Sequence, residues 1–142
     1  MSLSQTIILH LLNAPLSLAT IQELSKSSLP TVRRAVSSLS ESHWVRVVGQ
    51  AEANGGRPAM LFGVDDSHFM IFGLQLQLPG LRLIAADLKG KVLKQRDLFP
   101  GEIPDPNLAI RSVVATIEAF QEAFPEREVL GLGIASPGFI DA

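Results

Sequence analysis

Up to about residue 41 the apolar residues of this chain recur every three or four positions, in three segments too short to be stable as isolated helices; from Trp44 onward they fall into runs of strand length. That switch of period dictates a small helical cluster followed by a β hairpin. The first segment spans residues 4–13, with Ser4 placed to cap it and Ile7, Ile8, Leu11 and Leu12 at helical spacing; Asn13-Ala14-Pro15 ends it. Ser17 precedes a second segment over 18–25, with Leu18, Ile21 and Leu24 on one face. Ser28 precedes the third, over 29–41, where Pro30 occupies the first turn and Val32, Ala35, Val36 and Leu39 face inward. Three short helices joined by tight turns suit a helix-turn-helix. Trp44–Val48 and Ala59–Val64 then read as two strands around a polar, glycine-containing loop, and Leu39 and Trp44 as packing between the third helix and this wing.

Asp65-Asp66-Ser67 is a short polar hinge. Beyond it Phe69–Gln77, Leu81–Asp87 and Lys91–Leu98 read as an antiparallel meander, with Pro79-Gly80 and Lys89-Gly90 at its turns and Asp87 as a turn residue. A helix over 108–124, with Ile110, Val113, Val114, Ile117 and Phe120 inward, leads to a buried apolar strand, Val129–Ala135. The order βββαβ, ending at Ala142, is expected to be an incomplete domain whose uncovered apolar surface favours self-association. The expected organisation is therefore a first domain over 1–64 and a second over 65–142.

Charge divides the same way. Residues 1–63 carry five basic groups against three acidic, and residues 64–142 seven against eleven, within a net charge of −2. A basic front and an acidic back point to different partners for the two parts. There is no cysteine, and His10, His43 and His68 are not spaced as ligands, so neither disulfide nor metal centre is expected. A cysteine-free chain with no secretory signal and no apolar run of about 18 residues fits the cytoplasm rather than a membrane.

The outward face of the third helix carries Thr31, Arg33, Arg34, Ser37 and Ser38, with Ser28 at its start. Arginine bridges guanine acceptors or clamps phosphate, hydroxyls reach either, and a helix N-terminus favours phosphate. In the wing, Gly55 and Gly56 allow close backbone approach to a groove and Arg57 can enter a narrow minor groove. Double-stranded DNA is the partner these residues fit.

The run Ser28-Leu29-Pro30-Thr31-Val32-Arg33-Arg34-Ala35-Val36, then Trp44-Val45, then Gly55-Gly56-Arg57-Pro58 before an apolar strand, resembles the regulator branch of the ROK family (repressors, open reading frames, kinases). Phe72-Gly73-Leu74, Ala86-Asp87-Leu88-Lys89-Gly90-Lys91-Val92-Leu93 and Val129–Asp141 resemble the first hairpin and a strand-turn of that family's sugar-kinase-like domain. The resemblance implies an α/β protein. It has an α+β winged helix followed by part of an actin/hexokinase-like, ribonuclease H-like α/β domain. It implies a DNA-binding regulator, usually a repressor of carbohydrate uptake or catabolism, acting as a dimer under control of a sugar or sugar derivative. It places Gly138 and Asp141 where the sugar pocket begins, and the catalytic aspartate and a cysteine-rich zinc motif past Ala142.

One departure bears on activity. Kinase members carry an Asp-x-Gly-Gly-Thr turn that holds ATP phosphate, and the matching residues here are Gln75-Leu76-Gln77-Leu78-Pro79. Bulky side chains and a proline oppose such a cradle. The expectation is a non-enzyme without a cofactor; the alternatives are a ROK-type sugar kinase and a winged-helix module that binds protein.

Overall fold

A computed structural model describes residues 1–52, 58–77, 80–101 and 105–136. Helices and strands mix in one chain, an α/β fold, and the contacts divide it after Asp65 into two compact units.

The first unit is α1 (Leu3–Asn13), α2 (Leu18–Ser25), α3 (Leu29–Glu41), β1 (Val45–Gln50) and β2 (Met60–Val64). Ser2, not Ser4, caps α1: its hydroxyl accepts from the Gln5 amide at 3.3 Å while the Gln5 side chain accepts from the Ser2 amide at 2.8 Å. The reciprocal box needs Gln three residues after the serine, a partner Ser4 lacks. Ser17 and Ser28 cap α2 and α3 as their positions predict. The tight turn between those helices requires a left-handed residue, and Lys26 supplies it at φ 52°. One face of each helix closes on the hairpin, burying Ile7, Leu11, Ile21, Val32, Val36, Leu39, Val45 and Val64. Leu12 and Leu24, expected inside, are exposed. Leu16 adds an antiparallel bridge to Phe62, bonding in both directions at 2.9 and 2.8 Å, so the chain between α1 and α2 joins the edge of the hairpin.

The second unit is β3 (Phe69–Gln77), β4 (Gly80–Ala86), β5 (Val92–Leu98), α4 (Pro106–Ala123) and β6 (Glu128–Ala135). The sheet order is β5-β4-β3-β6. The first three strands form the expected meander, and β6 returns parallel to β3 after α4. Asp105 caps α4, accepting from the Leu108 amide at 3.0 Å. Met70, Phe72, Leu74, Leu83 and Ala85 bury one sheet face against Ala109, Val113 and Phe120 of α4. Asp87 organises the β4–β5 turn, its buried carboxylate accepting from the Lys89 and Lys91 amides, both at 2.9 Å.

Two expectations of burial fail here. Ile110 is 63% and Val114 48% exposed, and β6 is open, with Ile134 at 64%. These residues line an apolar groove of about 560 Å³ between α4 and the sheet, shared with Leu74, Leu76 and Leu132. One helix covers only part of a four-stranded sheet, so the strand at its edge keeps an apolar side chain uncovered on the α4 face at every second position.

Candidate nucleic-acid interface

The side chains of α3 are set by helical rotation, about 100° per residue. Val32, Val36 and Leu39 point into the core. Arg34, Ser37 and Ser38 therefore project directly outward, with Pro30 and Glu41 on the same face, and all five are exposed. Thr31 and Arg33 lie on opposite flanks. Arg33 turns toward a shallow groove of about 330 Å³ shared with Ser17, Leu18 and Ala19 of the α2 start and with Met60 and Phe62 of β2. The two adjacent arginines thus address different directions.

Among the described residues neither Arg33 nor Arg34 has an ion-pair partner. Some other basic groups are engaged: Arg46 lies 3.7 Å from Asp65, Arg82 chelates Asp97, and Lys89 reaches Asp66 at 2.8 Å. Two uncommitted guanidinium groups on a helix held rigidly by its core face are donors available to an external anion.

At the start of α3 the Ser28 hydroxyl accepts from the Thr31 amide at 3.4 Å and lies 2.8 Å from the Thr31 hydroxyl. The cap and a hydroxyl available to phosphate are compatible: when Thr31 donates to Ser28, the Ser28 proton is left to point outward. At the far end, Ser37 donates to the Glu41 carboxylate at 3.4 Å. Glu41 is not among the residues expected on this face, although its i, i+4 spacing from Ser37 marks it. It makes the C-terminal half of this face acidic, leaving the N-terminal half to receive a polyanion.

Gly55, Gly56 and Arg57 lie outside the described residues. The hairpin that carries them is held up to the bond from the Ala51 amide to the Ala59 carbonyl, 2.8 Å. Gly138 and Asp141 also lie outside the described residues, past the end of β6.

Where a kinase turn would sit, β3 continues as regular strand through Gln77. Gln75 pairs with Arg82 on one side and Ala135 on the other, and Leu76 pairs with Leu81. The Gln75 backbone is thus committed to ladders on both sides and those of Leu76 and Gln77 to β4; Leu78 and Pro79, the rest of that stretch, lie outside the described residues. Among the described residues no group of three or more His, Asp or Glu side chains is arranged to hold a metal, and no helix is long and apolar enough to cross a membrane.

An α/β chain in which a capped helix-turn-helix and hairpin precede a βββαβ unit has an assigned counterpart among known proteins. Its fold is shared by the crystal structure of a ROK family transcriptional regulator, a homologue of the E. coli MLC protein: the TM-score is 0.69 at 18% identity, over 98% of this chain and 36% of that one. In sequence it is similar to the xylose repressors of Bacillus spizizenii (strain ATCC 23059 / NRRL B-14472 / W23), 28% identical over 132 residues, and Bacillus subtilis (strain 168), 28% identical over 134. Each alignment takes in 91% of this chain, which spans about a third of the length of either relative, 34%. No family model matches it. The resemblance to ROK regulators carried by the motifs is therefore also a likeness of fold to a solved member.

Proposed function

We propose that this chain is the DNA-reading part and the opening of the effector domain of a sugar-responsive transcription repressor, with no kinase activity of its own. The observation that carries this reading is the unpaired Arg33–Arg34 pair on a capped helix of a helix-turn-helix. The similarity to two xylose repressors supports it and makes a pentose or related sugar the natural class of effector. The domains are 1–64, which binds DNA, and 65–142, which begins the sugar-binding part.

In this reading α3 enters the major groove with Arg34, Ser37 and Ser38 toward base edges. Arg33, Thr31 and Ser28 take the flanking phosphates, and Gly55, Gly56 and Arg57 take the minor groove. Gly138 and Asp141 contribute to the sugar pocket. A dimer spans two half-sites, and sugar acts by favouring one arrangement of the reading heads over another. Gln75, Gln77, Leu78 and Pro79, standing where the kinase turn has its acid, glycines and threonine, argue against the kinase alternative.

The test is selection of random duplex DNA on the intact protein at a stated salt concentration, beside an Arg33→Ala/Arg34→Ala variant. A palindromic motif that disappears in the variant is expected. No enrichment, with the helix face capturing a protein partner instead, sinks the reading in favour of an interaction module.

A further inference from the structure

The segment Asp66–Phe69, which leads from the first unit into β3, is fastened inside the second unit from several directions. Arg127, in the turn between α4 and β6, donates from Nη1 to the carbonyl of Asp66 at 2.9 Å and to that of Phe69 at 3.0 Å. The next residue, Glu128, donates its amide to the His68 carbonyl at 2.9 Å and holds its carboxylate 3.8 Å from the His68 ring. Lys89, from the β4–β5 turn, reaches the Asp66 carboxylate at 2.8 Å. The residue before this segment is held on the other side: the Asp65 amide donates to the Trp44 carbonyl at 2.9 Å, within the first unit. A segment that reads as a loose polar tether in sequence is thus bonded into the second unit from Asp66 onward, and Asp65 into the first.

Of the side chains of Arg127, Lys89 and Glu128, that of Arg127 is the most buried. Its side chain is 13% exposed, and its Nε is buried without a hydrogen-bond partner among the described residues, 4.0 Å from the Glu126 carboxylate. Burying a guanidinium costs desolvation that two carbonyl bonds offset only in part, so stability alone is a poor reason for this placement. What it achieves is geometric: one planar group joins two carbonyls, 61 and 58 positions away in sequence, to the residue just before β6. Just beyond this anchor the β3–β6 register slips, Met70 pairing with Val129 and Ile71 with Gly131, so the ladder gives way at Leu130 and the bonds of Arg127 and Glu128 set where β6 begins.

We infer that Arg127 is a positioning residue that fastens the segment 66–69 to the start of β6, so that displacement of β6 is delivered to the point where the chain enters the DNA-reading unit. The inference rests on the function proposed above for the meaning of that delivery, but not for the fastening itself. Residues 138 and 141, assigned there to the sugar pocket, follow β6 in the sequence.

Two measurements on the intact protein test it, with Arg127→Gln, Arg127→Lys and Glu126→Gln as a control. In hydrogen exchange, the peptide covering 66–69 and the Glu128 amide are expected to exchange about tenfold or more faster in Arg127→Gln, less so in Arg127→Lys, while β3–β4 pairing keeps its protection. Binding is then compared on the selected duplex with two half-sites and on the same duplex cut to one. A loosened joint raises the ordering cost only when both heads must engage, so roughly tenfold weaker binding to two half-sites, with one-half-site binding unchanged, is expected. Unchanged exchange at 66–69 overturns the inference. So does loss of protection across the whole sheet in both Arg127 variants, or equal weakening on both duplexes, because each makes Arg127 a general structural residue. A wild-type protein that selects no duplex defeats the proposed function separately, and the exchange comparison still decides whether Arg127 holds the segment.

Discussion

Arg33 and Arg34 are neighbours in sequence yet leave α3 about 100° apart, and their replacement by alanine should give different signatures, not two doses of one effect. Arg34 lies on the side of α3 opposite the core, the side proposed to face base edges; losing a bidentate contact to guanine costs about 1–3 kcal/mol, roughly 5–150-fold in affinity, and relaxes specificity at one base pair. Arg33 lies on the flank beside Ser17 and Met60, and a single lost phosphate contact lowers the slope of log affinity against log salt by about 0.9. From 50 to 200 mM salt that slope amounts to roughly 3.5-fold, so the advantage of wild type over Arg33→Ala should shrink by about that factor, equally for every operator variant. Anisotropy titrations with a labelled operator and its single-base variants, at several salt concentrations, separate the two signatures. If Arg33→Ala alone relaxes base preference and Arg34→Ala alters only the salt slope, the helix is rotated in the groove and the assignment of its faces is wrong. If neither moves affinity, α3 does not read DNA.

Three further outcomes follow from the geometry. Gly80 sits at φ +110°, and a Cβ there would collide with the Phe99 carbonyl oxygen, so Gly80→Ala should cost at least roughly 1–3 kcal/mol of stability in urea unfolding, from the backbone conformation alone. Leu83 is 0% exposed at the centre of the sheet, and Leu83→Ala should cost about 2–5 kcal/mol in the same assay, through lost burial and the cavity left behind. The hydrogen bond from Arg82 holds the Asp97 carboxyl below its ordinary range. A lowered carboxylate contributes its stability at neutral pH and loses it as pH falls through and below that range, so Asp97→Asn should slightly flatten acid unfolding and leave the basic side unchanged; equal pH profiles for the two proteins would show that the pair contributes nothing.

Much of the first unit is legible locally. Ser17 and Ser28 mark helix starts because a cap acts over three residues, and Val32, Val36 and Leu39 name the core face of α3 because a helix repeats every 3.6 residues. The candidate reading face follows from the same rotation, which also puts Arg33 on the flank once the core direction is known. The Ser2–Gln5 box was legible too, since its spacing is as local as that of the other caps, but a second serine two positions later offered a competing start.

Hydrophobicity alone made Val129–Ala135 a strand but could not make it buried, because burial depends on which neighbours a strand acquires. Its parallel place beside β3, at the edge of the sheet, exposes Leu132 and Ile134 and turns Ile110 and Val114 into the wall of a groove rather than core. The polar run Asp65-Asp66-Ser67 reads as a hinge for the same reason. Its composition is that of a loop, and the residue that ties the segment down, Arg127, lies 61 positions from Asp66. Periodicity and capping act over a few residues and are written in the order of the side chains; sheet neighbours and long-range bonds exist only once distant segments are brought together, and that is where the joint of this protein was decided.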